Sequence, residues 1–270
     1  MASAAPNPPS STDVAPLRLE RGLIARALID EAAETLKEMM GGGEADDLDA
    51  CVDQLREADR TRLSAVYDAF RETEIFRRIV TDPALAAVAA EMTGAVRLHS
   101  PFQHCVFRMD LAGERWRGFG WHQDHPYNML SERSVTAWLP LTPTGPHNGS
   151  IEIAAVKSDR LYPVEVRQKR DADGTRRATR DAFITTALQP AFDAGAETLT
   201  LDPGDVVLFG NRMVHRSGFN PGPRHRYSIQ ARFGDLLAPG MVARGWANRR
   251  AEGFDTFKTL YPQLIDFEEA

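Results

Sequence analysis

The stretch Gly120-Trp121-His122-Gln123-Asp124-His125-Pro126 sets an imidazole and a carboxylate two residues apart. In an extended chain residues i and i+2 project to the same side, so His122 and Asp124 face one point together. Two ligands from one strand supply one edge of a coordination polyhedron and need a third from elsewhere. The candidate is His215: Pro203-Gly204-Asp205 makes a turn, an apolar strand follows, and His215 lies shortly beyond its end. Two histidines and one carboxylate on one face leave three adjacent positions open, the arrangement of non-haem Fe(II) oxygenases. Eleven residues after His215 comes Arg226, with Ser228 two further on and facing the same way along an apolar strand. A guanidinium is a planar fork suited to a carboxylate, and a hydroxyl beside it can donate to the same group. With no acidic neighbour in its own strand, a buried Arg226 needs an anionic partner. A dicarboxylate co-substrate that chelates iron at its other end would provide one.

His122-x-Asp124, His215, Arg226 and Ser228, with Thr136-Ala137-Trp138-Leu139-Pro140-Leu141 between them, resemble the phytanoyl-CoA dioxygenase family over about Leu98 to Phe233. The resemblance implies an Fe(II)- and 2-oxoglutarate-dependent dioxygenase with a double-stranded β-helix, or jelly-roll, core. It implies that His122, Asp124 and His215 form the catalytic iron centre and that Arg226 pairs with the distal carboxylate of 2-oxoglutarate. Ser228 is expected beside that arginine, Trp138 beside the co-substrate, and Gln103 where a polar co-substrate or substrate contact is common. Three protein ligands leave room at iron for 2-oxoglutarate and O2. The expected reaction hydroxylates an unactivated C–H bond of a small, polar metabolite and releases succinate and CO2. Desaturation, cyclisation or epimerisation would need only a different fate for the substrate radical. Halogenating relatives replace the carboxylate ligand with a small residue; Asp124 retains it, which points away from halogenation.

The chain departs from the family pattern in one place. Members often carry a Pro-Gly-Ser-His turn after the Asn-Gly strand, whereas Asn148-Gly149-Ser150 leads here into Lys157-Ser158-Asp159 and a charged insertion. A non-catalytic jelly-roll binding or sensor protein that retains a metal is the rival reading, although a mere metal binder has no need of Arg226.

The elements that must position these residues fall into two groups. Apolar spacing predicts helices over Leu17–Met40, closed by Gly41-Gly42-Gly43, then over Asp47–Ala58, Arg60–Thr73 and Ile75–Val80. Asp82-Pro83 starts another helix that ends at Gly94. Beyond Gly94, β-branched and aromatic runs alternate with turn residues. They predict strands at Val96–Ser100, Cys105–Met109, Gly120–Asp124, Val135–Leu141, Ser150–Ala154, Glu197–Leu201, Asp205–Phe209 and Arg226–Phe233. The fold class expected is α+β, mainly β, with a helical layer packed on one sheet of a jelly roll. Ser158–Gly195 breaks the rhythm and reads as a charged lid, with Arg167, Lys169, Arg170, Arg176, Arg177 and Arg180 in its middle. Phe254–Phe267 reads as a carboxy-terminal helix covering the core or forming a subunit contact. The expected organisation is a disordered tail over 1–16 and one oxygenase domain over 17–270. Within it lie a helical layer (17–94), a core (95–235) carrying the 158–195 insertion, and a helical segment (250–267).

Composition narrows the function classes. A chain of 270 residues, 43% hydrophobic and 26% charged, can bury its own core without a staple, so a metal here is chemical rather than structural. The 32 basic and 38 acidic residues give a net charge of −6, which argues against nucleic acid as a partner. Cys51 and Cys105 form no cysteine framework and read as free thiols in a reducing cytoplasm. No run of 18 uncharged apolar residues exists, so no membrane span is expected. The partner is a small-molecule substrate, and the protein is expected to be a monomer or a homodimer. Among the remaining histidines, His125 points to the opposite face from Asp124, His99 and His104 read as polar positions on a half-buried strand, and His225 as an outer-face residue. Trp121 and Phe107 read as core, and Arg108, Arg115 and Arg117 as flanks of the site that could add to a basic patch.

Overall fold

The computed structural model describes residues 17–43, 46–114, 118–156, 160–170, 176–246 and 250–267; the tail expected over 1–16 lies outside the described residues. The chain enters through a short strand, β1 (Arg18–Glu20), and turns at Gly22, whose φ of 59° suits a residue without Cβ. Only then does α1 (Arg26–Met40) begin, closed by Gly41 at φ 87°. The helix expected from Leu17 is therefore corrected at its start, because backbone pairing with a sheet edge outcompetes the helical pattern there. Helices α2 (Leu48–Ala58), α3 (Arg60–Ala69), α4 (Glu74–Val80) and α5 (Pro83–Thr93) follow where apolar spacing put them. Their ends are chemically marked: the Thr73 hydroxyl accepts from Phe76 N, and the Asp82 carboxylate accepts from Ala84 N and Leu85 N.

The β region comprises β2 (Leu98–His99), β3 (Val106–Asp110), β4 (Val135–Pro140), β5 (Ile151–Ile153), β6 (Val164–Arg170) and β7 (Arg176–Ile184). After a short helix, α6 (Gln189–Asp193), come β8 (Glu197–Thr198), β9 (Val206–Gly210), β10 (His215–Ser217) and β11 (Arg226–Asp235). Helices α7 (Pro239–Ala243) and α8 (Arg250–Leu260) and the strand β12 (Ile265–Phe267) end the described chain. The large sheet runs β1-β9-β4-β11-β2, with β3 also on β11; β10-β5-β8 and β12-β6-β7 form two smaller sheets. This is the jelly roll, with helices laid on the outer face of its larger sheet.

Period-2 alternation along β11 explains why the two layers hold together. Tyr227, Ile229, Ala231 and Phe233 are buried in one apolar cluster with Ile29, Leu36, Leu63, Phe70, Phe76, Ile79 and Leu85 of the helical layer. Each such large side chain removed from water contributes about 1.5–3 kcal/mol. The alternate residues Arg226, Ser228, Gln230 and Arg232 therefore face the other way, into the roll.

Three further expectations are corrected. Gly120–Asp124 is not a strand: one bridge pairs His122 with His215, and the chain then curls, with Tyr127 N and Asn128 N both donating to Asp124 O. The 158–195 insertion is not a loop but the hairpin β6–β7 followed by α6; the side chains of Arg167 to Arg180 lie outside the described residues. The carboxy-terminal helix stops at Leu260, and Ile265–Phe267 pairs in parallel with β6. Phe254 and Phe257 of the helix, with Tyr261 just beyond its end, pack with Met129, Val164 and Ala182, so α8 and the hairpin form one cap.

Candidate active site

His122 and His215 sit opposite each other in a two-bond bridge, His122 N to His215 O at 3.0 Å and His215 N to His122 O at 3.1 Å. That pairing, and not a continuous strand, brings the two imidazoles together, with ring centroids 4.1 Å apart. Each ring is turned by its own backbone: His122 Nδ1 donates to Gly120 O at 2.8 Å and His215 Nδ1 to Met213 O at 3.0 Å. A carbonyl can only accept, so both rings carry their proton on Nδ1 and present a bare Nε2 to the interior. Asp124 completes the group, with Oδ1 3.7 Å from His122 Nε2 and Oδ2 4.0 Å from His215 Nε2. The donor atoms lie within 4.8 Å of one another, and among the described residues this is the one cluster suited to a metal ion.

The electrostatics suit a cation. Burial pushes the His122 pKa well below its ordinary value, and the neighbouring His215 adds to the effect; burial also lowers His215. Both imidazoles are therefore neutral, the form in which a histidine can hold a metal ion. Burial alone would raise Asp124, but the Arg232 guanidinium, the two histidines and the Thr136 hydroxyl hold it well below the usual carboxylate range. Thr136 Oγ1 donates to Asp124 Oδ2, and Arg232 Nη1 lies 3.3 Å from the same oxygen. These are the protonation states that a divalent ion requires.

A cavity of about 740 Å³ opens over the triad. Trp138 lines it from β4, directly across from Gln230 of β11. Arg226 lines it too, 2% exposed, and here the structure corrects a premise: an acidic partner does exist, not in its own strand but opposite it on β3. Arg226 Nη2 lies 2.9 Å from Asp110 Oδ2, Nη1 donates to Gly218 O, and Arg108 Nη2 donates to Asp110 Oδ1. One carboxylate thus serves two guanidinia. Arg226 Nε and Ser228 Oγ remain buried without a hydrogen-bond partner. Two orphaned buried donors on one face of a strand are costly unless a ligand satisfies them. Their placement fits a carboxylate.

Gln103 is not brought to this site. It is exposed on a short 3-10 turn, and the adjacent His104 is the one that turns inward, buried, with Nδ1 2.9 Å from Asn128 Oδ1. Both His104 and Asn128 line the cavity. Further lining residues had no motif to announce them. Tyr67, Asp68 and Arg71 come from the helical layer, and Phe254, Asp255 and Lys258 from α8. A helical face showing 67, 68 and 71 was visible in the spacing, but which sheet end it would meet was not. Phe119 packs edge-on to His122, with ring centroids 4.3 Å apart. His125 is buried against Phe257 and Tyr261, and burial holds its pKa down at about 3. His225 lies behind the sheet, bonded to Asp53 and Ala112 N. Trp121 and Phe107 are core residues, and Arg115 and Arg117 lie outside the described residues.

Solved structures with this fold include EctD from S. alaskensis with 2-oxoglutarate and 5-hydroxyectoine, at 15% identity. The similarity covers 84% of this chain and 74% of that one, with a TM-score of 0.54. The epimerase SnoN in complex with Fe3+, alpha ketoglutarate and nogalamycin RO matches at 18% identity over 84% and 83% of the two chains, with a TM-score of 0.54. EvdMO1 matches at 21% identity and a TM-score of 0.44, over 59% of this chain, which spans only 32% of that one. No curated protein sequence matches the chain. The model of the phytanoyl-CoA dioxygenase family matches residues 21–228, from the first helix to the serine beside Arg226. The chain belongs to that family of non-haem iron, 2-oxoglutarate-dependent oxygenases.

Proposed function

We propose that the protein oxidises a C–H bond of a small, polar metabolite, consuming 2-oxoglutarate and O2 and releasing succinate and CO2. The observation that carries this reading is the convergence of His122 Nε2, Asp124 and His215 Nε2 under a cavity whose wall holds the orphaned donors of Arg226 and Ser228. Iron(II) with 2-oxoglutarate supplies the oxidising power of the reaction. The chain's own part is placement and exclusion of solvent. Gly120 O and Met213 O hold both imidazoles with Nε2 inward, and Thr136 with Arg232 holds Asp124 ionised. Arg226 Nε and Ser228 Oγ would receive the distal carboxylate, and Trp138 would wall the chain between. Phe119 and Tyr127 pack edge-on to His122, and Phe254 stacks on Tyr127, so aromatic rings would limit the approach of water to it. Charged and polar side chains from the helical layer, β3, β10, β11 and α8 line the cavity and favour a polar substrate over a long lipid. We further propose that residues 17–270 act as one oxygenase unit, because helical layer and roll share one core and the cap closes the same cavity.

Anaerobic titration with Fe(II) and 2-oxoglutarate, followed by succinate release in air, tests the reading. A visible charge-transfer band should appear, and His215→Ala should lower succinate formation by at least about a hundredfold; near-normal turnover in that variant sinks the assignment. Arg226→Ala should raise the KM for 2-oxoglutarate far more than the Fe(II) requirement, and equal changes would exclude the co-substrate role. SnoN is an epimerase on the same fold, so product analysis separates the outcomes: hydroxylation gives a product one oxygen heavier.

A further inference from the structure

The cavity has two cationic ends, and they differ in how their charges are matched. Along β11, Arg226 and Arg232 are six residues apart, about 20 Å at 3.3 Å per residue. The Arg226 end faces Asp110. Antiparallel register sets Gln230 opposite Val106, so the turn at Phe102–His104 meets the Arg232 end. Arg71 reaches that end from the helical layer: its Nη2 donates to Gln103 O at 3.3 Å, and it lines the cavity.

Among the described residues, each of the other five lysines and arginines lining the cavity already has a carboxylate. Arg108 and Arg226 share Asp110, and Arg216 is bonded to Glu152 and Asp193. Arg232 lies on Asp124, and Lys258 on Asp255. Arg71 has no carboxylate within 4.0 Å among the described residues, and its Nε is buried without a hydrogen-bond partner. A half-buried guanidinium with an orphaned donor, facing a cavity, is satisfied by an oxyanion that enters with a ligand. The co-substrate does not supply it, since its distal carboxylate belongs to Arg226 at the opposite end.

Building on the oxygenase reading above, we propose that Arg71 is a substrate-binding residue and that the primary substrate presents a terminal oxyanion, a carboxylate or a phosphate monoester, to it. His104 and Asn128 flank that end of the cavity and add polar edges for the same group.

The test uses the full chain with Fe(II) and 2-oxoglutarate and follows succinate release stimulated by matched sets of small molecules. Each set holds a carboxylic acid, the phosphate monoester and the primary amide of one carbon skeleton. Stimulation by anionic members should exceed that by the amide roughly tenfold or more in kcat/KM, the loss expected for one charge-assisted hydrogen bond. The acid and phosphate arms decide between the two oxyanions. Arg71→Gln should bring the anion-to-amide ratio to about one, and Arg71→Lys should restore part of it. Amides as effective as acids, no stimulation by any anionic member, or an unchanged ratio in a folded Arg71→Gln protein each overturn the proposal. If the glutamine variant does not fold, the ratio in Arg71→Lys decides: one equal to wild type removes the need for a guanidinium fork and overturns the assignment. Slow succinate release without any added compound keeps the two readings apart. Its absence condemns the oxygenase reading, whereas its presence without anion preference condemns the Arg71 proposal alone.

Discussion

Thr136 shows how far a single hydroxyl reaches into the chemistry. It donates to the same Asp124 oxygen that Arg232 approaches, so two donors hold a buried carboxylate ionised and fixed in rotation. Burial would otherwise favour the neutral acid, which cannot serve as an anionic ligand. Thr136→Val keeps the shape and removes the donor. It should raise the Kd for Fe(II) about tenfold, the scale of a lost partner behind a metal ligand. Anaerobic Fe(II) titration measures it, and unaltered affinity would show that Arg232 alone orients Asp124. Asp110 carries a similar load at the other end of the cavity. Burial would raise it, but Arg108 and Arg226 hold it well below the usual range, so it stays a fixed anion between two guanidinia.

At the scale of elements, the connections between strands decide whether the site is assembled. Gly149 has φ 70°, and a Cβ placed there would meet Phe219 O at 2.2 Å and Gly218 O at 2.6 Å. Those carbonyls are backbone and cannot swing away, and Gly218 O accepts from Arg226 Nη1. Gly149→Ala should therefore cost about 2 kcal/mol or more and raise the KM for 2-oxoglutarate as well. Urea denaturation with steady-state kinetics checks both, and a loss of stability with unchanged KM would uncouple this loop from Arg226. On the opposite side, Asp205 ties the entry of the chain to β9. Its carboxylate accepts from Gly22 N and Asp202 N, both at 2.9 Å, and from Arg21 at 2.5 Å. Burial opposes this, yet the backbone donors and Arg21 lower its pKa overall. A carboxyl lowered in the folded state stabilises above its unfolded pKa near 3.8 and loses that contribution as pH falls below it. Asp205→Ala should cost about 2 kcal/mol at pH 7, with the deficit against wild type shrinking below pH 4. A deficit constant between pH 7 and pH 3 would mean the ionised form is not what matters.

Across the whole molecule, the fold stands on apolar clusters in which His122, Asp124 and His215 take no part. The helical layer and the large sheet share one, and the cap formed by the β6–β7 hairpin and α8 has another. The triad is held in ligating geometry by protein hydrogen bonds alone. Chelation should therefore abolish succinate release and leave the far-UV circular dichroism spectrum in place. Adding Fe(II) at a hundred times its Kd should stabilise the protein by about 2.7 kcal/mol through mass action. Collapse of the spectrum on chelation would contradict a purely chemical role for iron. Charge behaves differently by location: the chain carries −6 overall, yet among the described residues its cavity gathers six basic side chains against three carboxylates. An average over the surface conceals the interior that a substrate meets.

Much of this was legible from the chain alone. The helices after Leu48 announced themselves by apolar spacing and capping residues, both local properties that hold whatever surrounds them. The two faces of β11 were readable because alternation follows from pleated backbone geometry, so Arg226 and Ser228 were placed together before any fold was known. His122, Asp124 and His215 were singled out by residue type and order. Only the tertiary structure decided what is set by distant partners. The helical pattern near Leu17 yielded to a strand because β9 offered an edge, and the hairpin of the charged insertion gained β12 from the far end of the chain as a parallel neighbour. Asp110 opposite Arg226, Thr136 on Asp124 and Arg71 at the far end of the cavity are contacts between segments far apart in the chain. Spacing along one segment carries no information about them, because register and packing, not local propensity, bring such groups within reach.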